Sequence, residues 1–349
     1  MKNDSGIILA AVPFAAGTAA AAVLSRPFEG ALAGNLMACA LLTISASSGK
    51  SPAALLPAMF LLLGFSVWCS ASLCGRPQLP VPGLMDTLCV LIADTDFPGE
   101  DSSALITALL TGRRSGLSRE TVEAFRRSGA AHILALSGLH LGVIYVFICR
   151  LLSPLGNSPA SRWMRGILSI SFCGLYTLSV GAGPSVVRAF LFIVINEVRK
   201  ECSARRSSPL STYCTALTIQ LTVDPLLIAS PGFQLSYAAM LGIIILVPTL
   251  KNWYPEGGTG LFRKIWTAAA LSISCQLFTA PLSWWHFRSL PKYFLLANLI
   301  SLPLAEALII SSLVCLMLQV AGLCPQILAQ ACGKLAQLLV FCLETIASM

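Results

Sequence analysis

Uninterrupted apolar runs of about 20 residues recur from one end of this chain to the other, and each is long enough to cross about 30 Å of hydrocarbon as a helix. Only 11% of the 349 residues are charged, against roughly 25% in soluble domains. Most of the chain therefore belongs in lipid. The pattern predicts an all-α fold, a polytopic transmembrane helical bundle of about eleven spans with broken or re-entrant helices. The expected spans are 7–24, 31–47, 53–73, 131–149, 166–182, 184–198, 210–228, 231–250, 265–283, 293–318 and 325–347. The first run follows a lysine and ends in small residues, so a cleaved signal peptide competes there with an uncleaved span. Three regions follow: N-terminal spans over 1–73, a loop over 74–130, and a transmembrane domain over 131–349.

Lys and Arg in short loops mark the cytoplasmic side. Arg150, Arg162 and Arg165, then Arg199, Lys200, Arg205 and Arg206, then Lys251, Arg263 and Lys264 all fall on one side under this count. That orientation places the N-terminus in the cytoplasm, with residues 74–130 and the C-terminus outside. From Arg76 to Arg127 the loop carries six basic and seven acidic residues, a balance that does not hold it inside. Within it, "LSRETVEAFRRSG" reads as a helix capped by Ser118 and stopped by Gly129. Leu117, Val122 and Phe125 are expected to rest on the membrane surface. The thirteen cysteines form no CxxC pair and read as small core residues, so neither a disulfide framework nor a zinc site is expected, and no cofactor.

Polar groups at membrane depth are costly and mark either packing contacts or a pathway. In "HILALSGLH", His140 shares a helix face with Ser137 one turn earlier. It reads either as a neutral histidine bonded to a neighbouring helix or as a group facing water. In "GAGPSVVRAF", Pro184 suits a first helical turn, and Arg188 either meets an anion near that N-terminus or snorkels outward. "DPLLIASPGFQLSY" breaks the apolar pattern twice. Asp224 and Gln234, with Phe233, Ser236 and Tyr237, then line either a path or an ordinary turn. Asn298 and Glu306 share one later span, and Gln276 sits at helical spacing in another. His140, Arg188, Asp224, Gln234 and Asn298 fall at similar depth from five different spans, which predicts one hydrated cavity.

"HILALSGLHLG", "GPSVVRAF", "DPLLIASPGFQLSYAAMLGI" and "NLISLPL", in this order, resemble the membrane-embedded competence domain of the ComEC family. "LLTGRRSGLSRETVEAFRRSGAAHILALSGLH" is similar to that family's lead-in to its histidine motif. The likeness covers about residues 104–310. It implies a channel in the bacterial inner (plasma) membrane that takes up single-stranded DNA during natural transformation. It also implies as partners the lipid bilayer and three separate proteins: a DNA receptor, a nuclease and a cytoplasmic translocase. Many members of the family carry an oligonucleotide-binding-type domain and a metallo-β-lactamase-like domain. Here the loop is too short for a five-stranded barrel, and three histidines do not suit a His-rich two-metal site.

Toward a single strand, a polyanion with apolar bases, Arg188 and the helix start at Pro184 are candidate phosphate contacts; Phe233 and Tyr237 are candidate base contacts, although membrane aromatics are more often packing or interface residues. His140 and Asn298 would shape a polar constriction, while Glu306 and Gln276 belong to structural pairing. No enzymatic chemistry is expected. A hydrolase would take Ser137 as nucleophile with His140 or His286 as base, but residues three apart on one helix rarely align a hydroxyl with an imidazole. A transporter of small solutes or lipids with the same broken helices also fits the pattern, as does a truncated family member that does not conduct DNA.

Overall fold

In lipid every backbone N–H and C=O must be satisfied within its own segment, and a helix does this with local bonds alone. The computed structural model describes residues 2–23, 37, 56–74, 83–95, 97–99, 101–156, 158–201, 208–254 and 260–349, and no strand occurs among them. The helices are α1 (Lys2–Ala22), α2 (Leu56–Cys74), α3 (Leu84–Asp94), α4 (Ser102–Thr111), α5 (Arg119–Ser128), α6 (Ala131–Leu134) and α7 (Gly138–Leu151). They continue as α8 (Pro159–Ser179), α9 (Pro184–Glu201), α10 (Pro209–Val223), α11 (Pro231–Asn252), α12 (Gly260–Phe287), α13 (Phe294–Val320) and α14 (Gln326–Ala347). Short 3₁₀ turns follow α7 at Ser153–Leu155 and α10 at Pro225–Ala229. Five helical segments, Gly138–Leu155 and α11 to α14, are long and apolar enough to cross a membrane. The expected span 31–47 lies outside the described residues apart from Met37. The span expected over 131–149 is broken: α6 stops at Leu134 and α7 begins only at Gly138.

The chain divides into two compact units. Unit 1 comprises Met1–Gln78 and Leu191–Ile244. Its centre is the crossing of α1 and α2, which small residues bring close together. A Cβ on Gly17 would lie 1.8 Å from the Leu61 carbonyl oxygen, and one on Gly64 would lie 2.1 Å from that of Phe14. Phe14 then packs with Leu217 and Leu221 of α10 and with Phe233 and Tyr237 of α11.

Unit 2 comprises Leu79–Phe190 and Ile245–Met349. Its core joins α13 and α14, through Leu308, Ile309, Leu339 and Leu343, to Leu105 and Leu109 of α4 and Phe125 of α5. The membrane-surface expectation for the loop helices is corrected here. Phe125 is fully buried inside the protein, and Leu117 and Val122 pack against the same core. Their apolar faces meet α13 and α14 rather than lipid because the chain places α14 directly beneath α5. Gly333 of α14 permits a close approach, since a Cβ there would stand 2.2 Å from the Pro98 carbonyl oxygen. Trp284 and Trp285, near the end of α12, are exposed, as befits side chains at a lipid–water boundary.

As the sequence predicts, Ser118 caps α5 by accepting from the Thr121 N–H, and Gly129 ends the helix in a left-handed conformation. One Asp101 oxygen accepts from the Ser118 N–H at 3.1 Å and from the Thr121 hydroxyl at 2.9 Å. The Ser118 bond, opposed by burial and helped by Thr121, holds this carboxyl below its ordinary range. A depressed acid stabilises the fold above its unfolded value, about 3.9, and loses that contribution as pH falls through its folded value.

Gly64→Val should destabilise unit 1 by about 1–3 kcal/mol or more, seen as a lower melting temperature of the purified protein in detergent. Asp101→Asn should cost about 1.5–3 kcal/mol near neutral pH, and the loss relative to the parent should shrink below about pH 4, as followed by thermal melts across pH.

Candidate functional site

The break between α6 and α7 builds the most unusual polar arrangement in unit 2. Ala135 and Ser137 are extended, so α7 begins with unsatisfied backbone N–H groups in an apolar setting. Ser137 closes this start as N-cap, its hydroxyl accepting from the Leu139 N–H at 3.2 Å. His140 reaches back, and its Nδ1 accepts from the Ser137 N–H at 3.1 Å. The pair forms a capping box with histidine in the place usually taken by Glu or Gln. A ring nitrogen that accepts from an N–H carries no proton, so the neutral His140 ring holds its proton on Nε2. His140 is 2% exposed, and Nε2 has no hydrogen-bond partner among the described residues.

The structure does align the Ser137 hydroxyl with the imidazole, at 2.9 Å from Nδ1, against the expectation for residues three apart. Alignment arises because Ser137 lies outside the helix as its cap rather than one turn down the same face. Both side chains also bond to the backbone of the cap.

Arg188, one turn into α9, is only 8% exposed. Its Nη2 stands 3.0 Å from the point where a Cβ on Gly138 would be, and the Ala189 methyl stands 3.1 Å from that point. Gly138 thus lets the start of α7 lie against α9, with a buried guanidinium beside two helix N-termini. Arg188 is also within electrostatic reach of Cys275 on α12. Positive helix ends and a guanidinium together favour an anion. Asn298 lies on α13, which packs against α7, and its buried Oδ1 has no partner among the described residues.

The remaining candidates on the interrupted stretch lie in unit 1. Asp224 caps the 3₁₀ turn by accepting from the Leu226 N–H at 3.1 Å, and Gln234 donates its amide to the Ile228 carbonyl at 2.8 Å. Those two bonds hold the interruption between α10 and α11. Phe233 and Tyr237, expected to meet bases, are buried in the core with ring centroids 4.5 Å apart, and the Tyr237 hydroxyl donates to Gln220 at 2.9 Å. Their faces are taken by packing against Phe14 of α1 and Leu217 and Leu221 of α10. Ser236 is half-buried beside them. In unit 2, neither the half-buried Glu306 nor Gln276 shows a side-chain hydrogen bond or ion pair among the described residues, so their expected structural pairing is not found there. No cluster of His, Cys, Asp or Glu among the described residues suits a metal ion.

The Competence protein family model matches residues 109–349, which takes in α6 to α14 and every residue of this site. The chain is a member of the ComEC family of competence proteins. It is 27% identical over 207 residues to ComE operon protein 3 of Bacillus subtilis, covering 58% of this chain and 25% of that protein. Recombination protein 2 of Haemophilus influenzae is 26% identical over 224 residues, 61% of this chain and 28% of its own length. Competence protein ComA of Neisseria gonorrhoeae is 28% identical over 215 residues, 60% of this chain and 30% of its own length. The chain thus spans less than a third of the length of these relatives. No solved structure matches it.

The capping box has a signal in the sequence that hydropathy alone passes over, Ser-x-x-His before an apolar run. Because the two side chains form one unit, Ser137→Ala and His140→Ala should each cost about 1 kcal/mol. The double variant should cost less than their sum by about 0.5 kcal/mol or more, measured by thermal melts in detergent.

Proposed function

We propose that this chain is the membrane-embedded part of a conduit for single-stranded DNA in the bacterial inner membrane, serving uptake during natural transformation. The family match over 109–349 supports the role, and the buried Arg188 beside the starts of α7 and α9 is the observation that carries the mechanism. A single strand offers one phosphate per nucleotide, and a guanidinium framed by helix N-termini binds such an anion without base preference. The buried Nε2–H of His140 and Oδ1 of Asn298 supply a donor and an acceptor for water or bases in the same unit. An unmet buried polar group costs about 1–3 kcal/mol, which favours a hydrated setting for both.

In this reading the chain crosses the membrane about eleven times, as the apolar runs of its sequence predict. The N-terminus is cytoplasmic and the C-terminus extracytoplasmic, the orientation that keeps the basic loops inside apart from Arg288 and Lys292. The chain does no chemistry on the strand. A DNA receptor, a nuclease and a cytoplasmic translocase act as separate partners. Ser137 serves as a cap, so Ser137→Ala retains uptake.

Deletion of the gene in a transformable host should abolish recovery of externally supplied DNA, and the parental gene should restore it. Arg188→Gln removes a charge-assisted contact of about 1.5–3 kcal/mol, so transformation should fall roughly ten- to hundredfold, with Arg188→Lys in between. Full transformation by Arg188→Gln at normal expression refutes the phosphate role. Gene-dependent uptake of a small solute without uptake of DNA refutes the conduit.

A further inference from the structure

Three cysteines converge where α13 turns into α14. The turn is a Schellman motif: the Gly322 N–H donates to the Gln319 carbonyl at 2.9 Å and the Leu323 N–H to that of Leu318 at 2.8 Å. Gly322 takes the positive φ of 67° that the motif needs. This reversal folds the chain back along the end of α13 and brings the Cys324 sulfur to 3.0 Å from that of Cys315. Cys332, in the second turn of α14, lies within hydrogen-bond reach of Cys315. Cys315 and Cys332 are fully buried, whereas Cys324 is half-buried.

We propose that Cys315 and Cys324 are a reversible disulfide site that locks the α13–α14 turn, independent of the conduit reading. Bonded sulfurs stand about 2.0 Å apart, so closure needs only about 1 Å of movement. The oxidant is a small organic disulfide. The Cys324 thiolate attacks one of its sulfurs and expels a thiolate, leaving a mixed disulfide. Cys315 then gives up its proton and attacks the Cys324 sulfur, expelling the second thiolate. The two protons end on the two released thiols, and two electrons pass to the reagent. The link fixes the angle at which α14 leaves α13, and so the face on which the 97–99 segment rests at Gly333.

The test treats the full chain in lipid vesicles with dithiodipyridine. Chymotryptic mapping follows, with cleavage after Leu318 and Leu328 separating the three cysteines. The expected result is a Cys315–Cys324 linked pair, lighter by two hydrogens, reversed by dithiothreitol, lost in Cys324→Ser and kept in Cys332→Ser. Unlinked Cys315 and Cys324 in a sample in which Cys89, a free half-buried thiol on α3, has reacted overturn the proposal, as does a dominant link between Cys324 and Cys332.

Discussion

The structure depends on a rule that lipid imposes: wherever a helix stops in apolar surroundings, its end must be hydrogen-bonded by something other than water. Two interruptions show how this chain meets it. At 135–137 the start of α7 is closed by the Ser137 hydroxyl and the His140 ring. At 224–230 the Asp224 carboxylate and the Gln234 amide hold a 3₁₀ turn between α10 and α11. In both places the polar side chains that draw attention in the sequence are what makes the break tolerable. Each helix end then lies inside the protein with its backbone groups met by its own neighbouring side chains.

Much of the helical layout is legible in the sequence because hydropathy over about 20 residues reports length and lipid contact directly. The break at 224–230 is legible too, since Asp224-Pro225 and Ser230-Pro231 are strong interrupters. The break at 135–137 escapes hydropathy, because Ala135 and Leu136 are apolar and no proline stands near, and only the Ser137-x-x-His140 capping pattern marks it. The packing of α4 and α5 on α13 and α14 is hidden for a different reason. An amphipathic face has the same pattern whether it meets lipid or protein, and only the fold chooses. Phe233 and Tyr237 illustrate the same ambiguity, as buried aromatics and base-stacking aromatics share composition. The spacing between Cys315 and Cys324 likewise says nothing until Gly322 reverses the chain.

Glycine does much of the positioning. Gly17 and Gly64 bring two backbones together in unit 1, Gly333 admits the 97–99 segment in unit 2, and Gly138 admits Arg188. Membrane helices gain little from burying apolar surface against one another, because lipid is equally apolar, so close approach through small residues takes over that task. A side chain at any of these four positions would enlarge a crossing without adding compensating burial.

Arg188 brings these threads together. A guanidinium is expensive to place where water is scarce, and the positive ends of α7 and α9 raise that cost rather than lower it. On the conduit reading proposed above, the arrangement would gain when a phosphate enters, because the positive helix ends beside Arg188 would attract the incoming anion. A nucleotide chain would renew that anion at every step, so no single contact would need to be tight. Weak, repeated and sequence-blind binding is what passage of a polyanion requires, and Gly138 is what lets the guanidinium sit at the helix start.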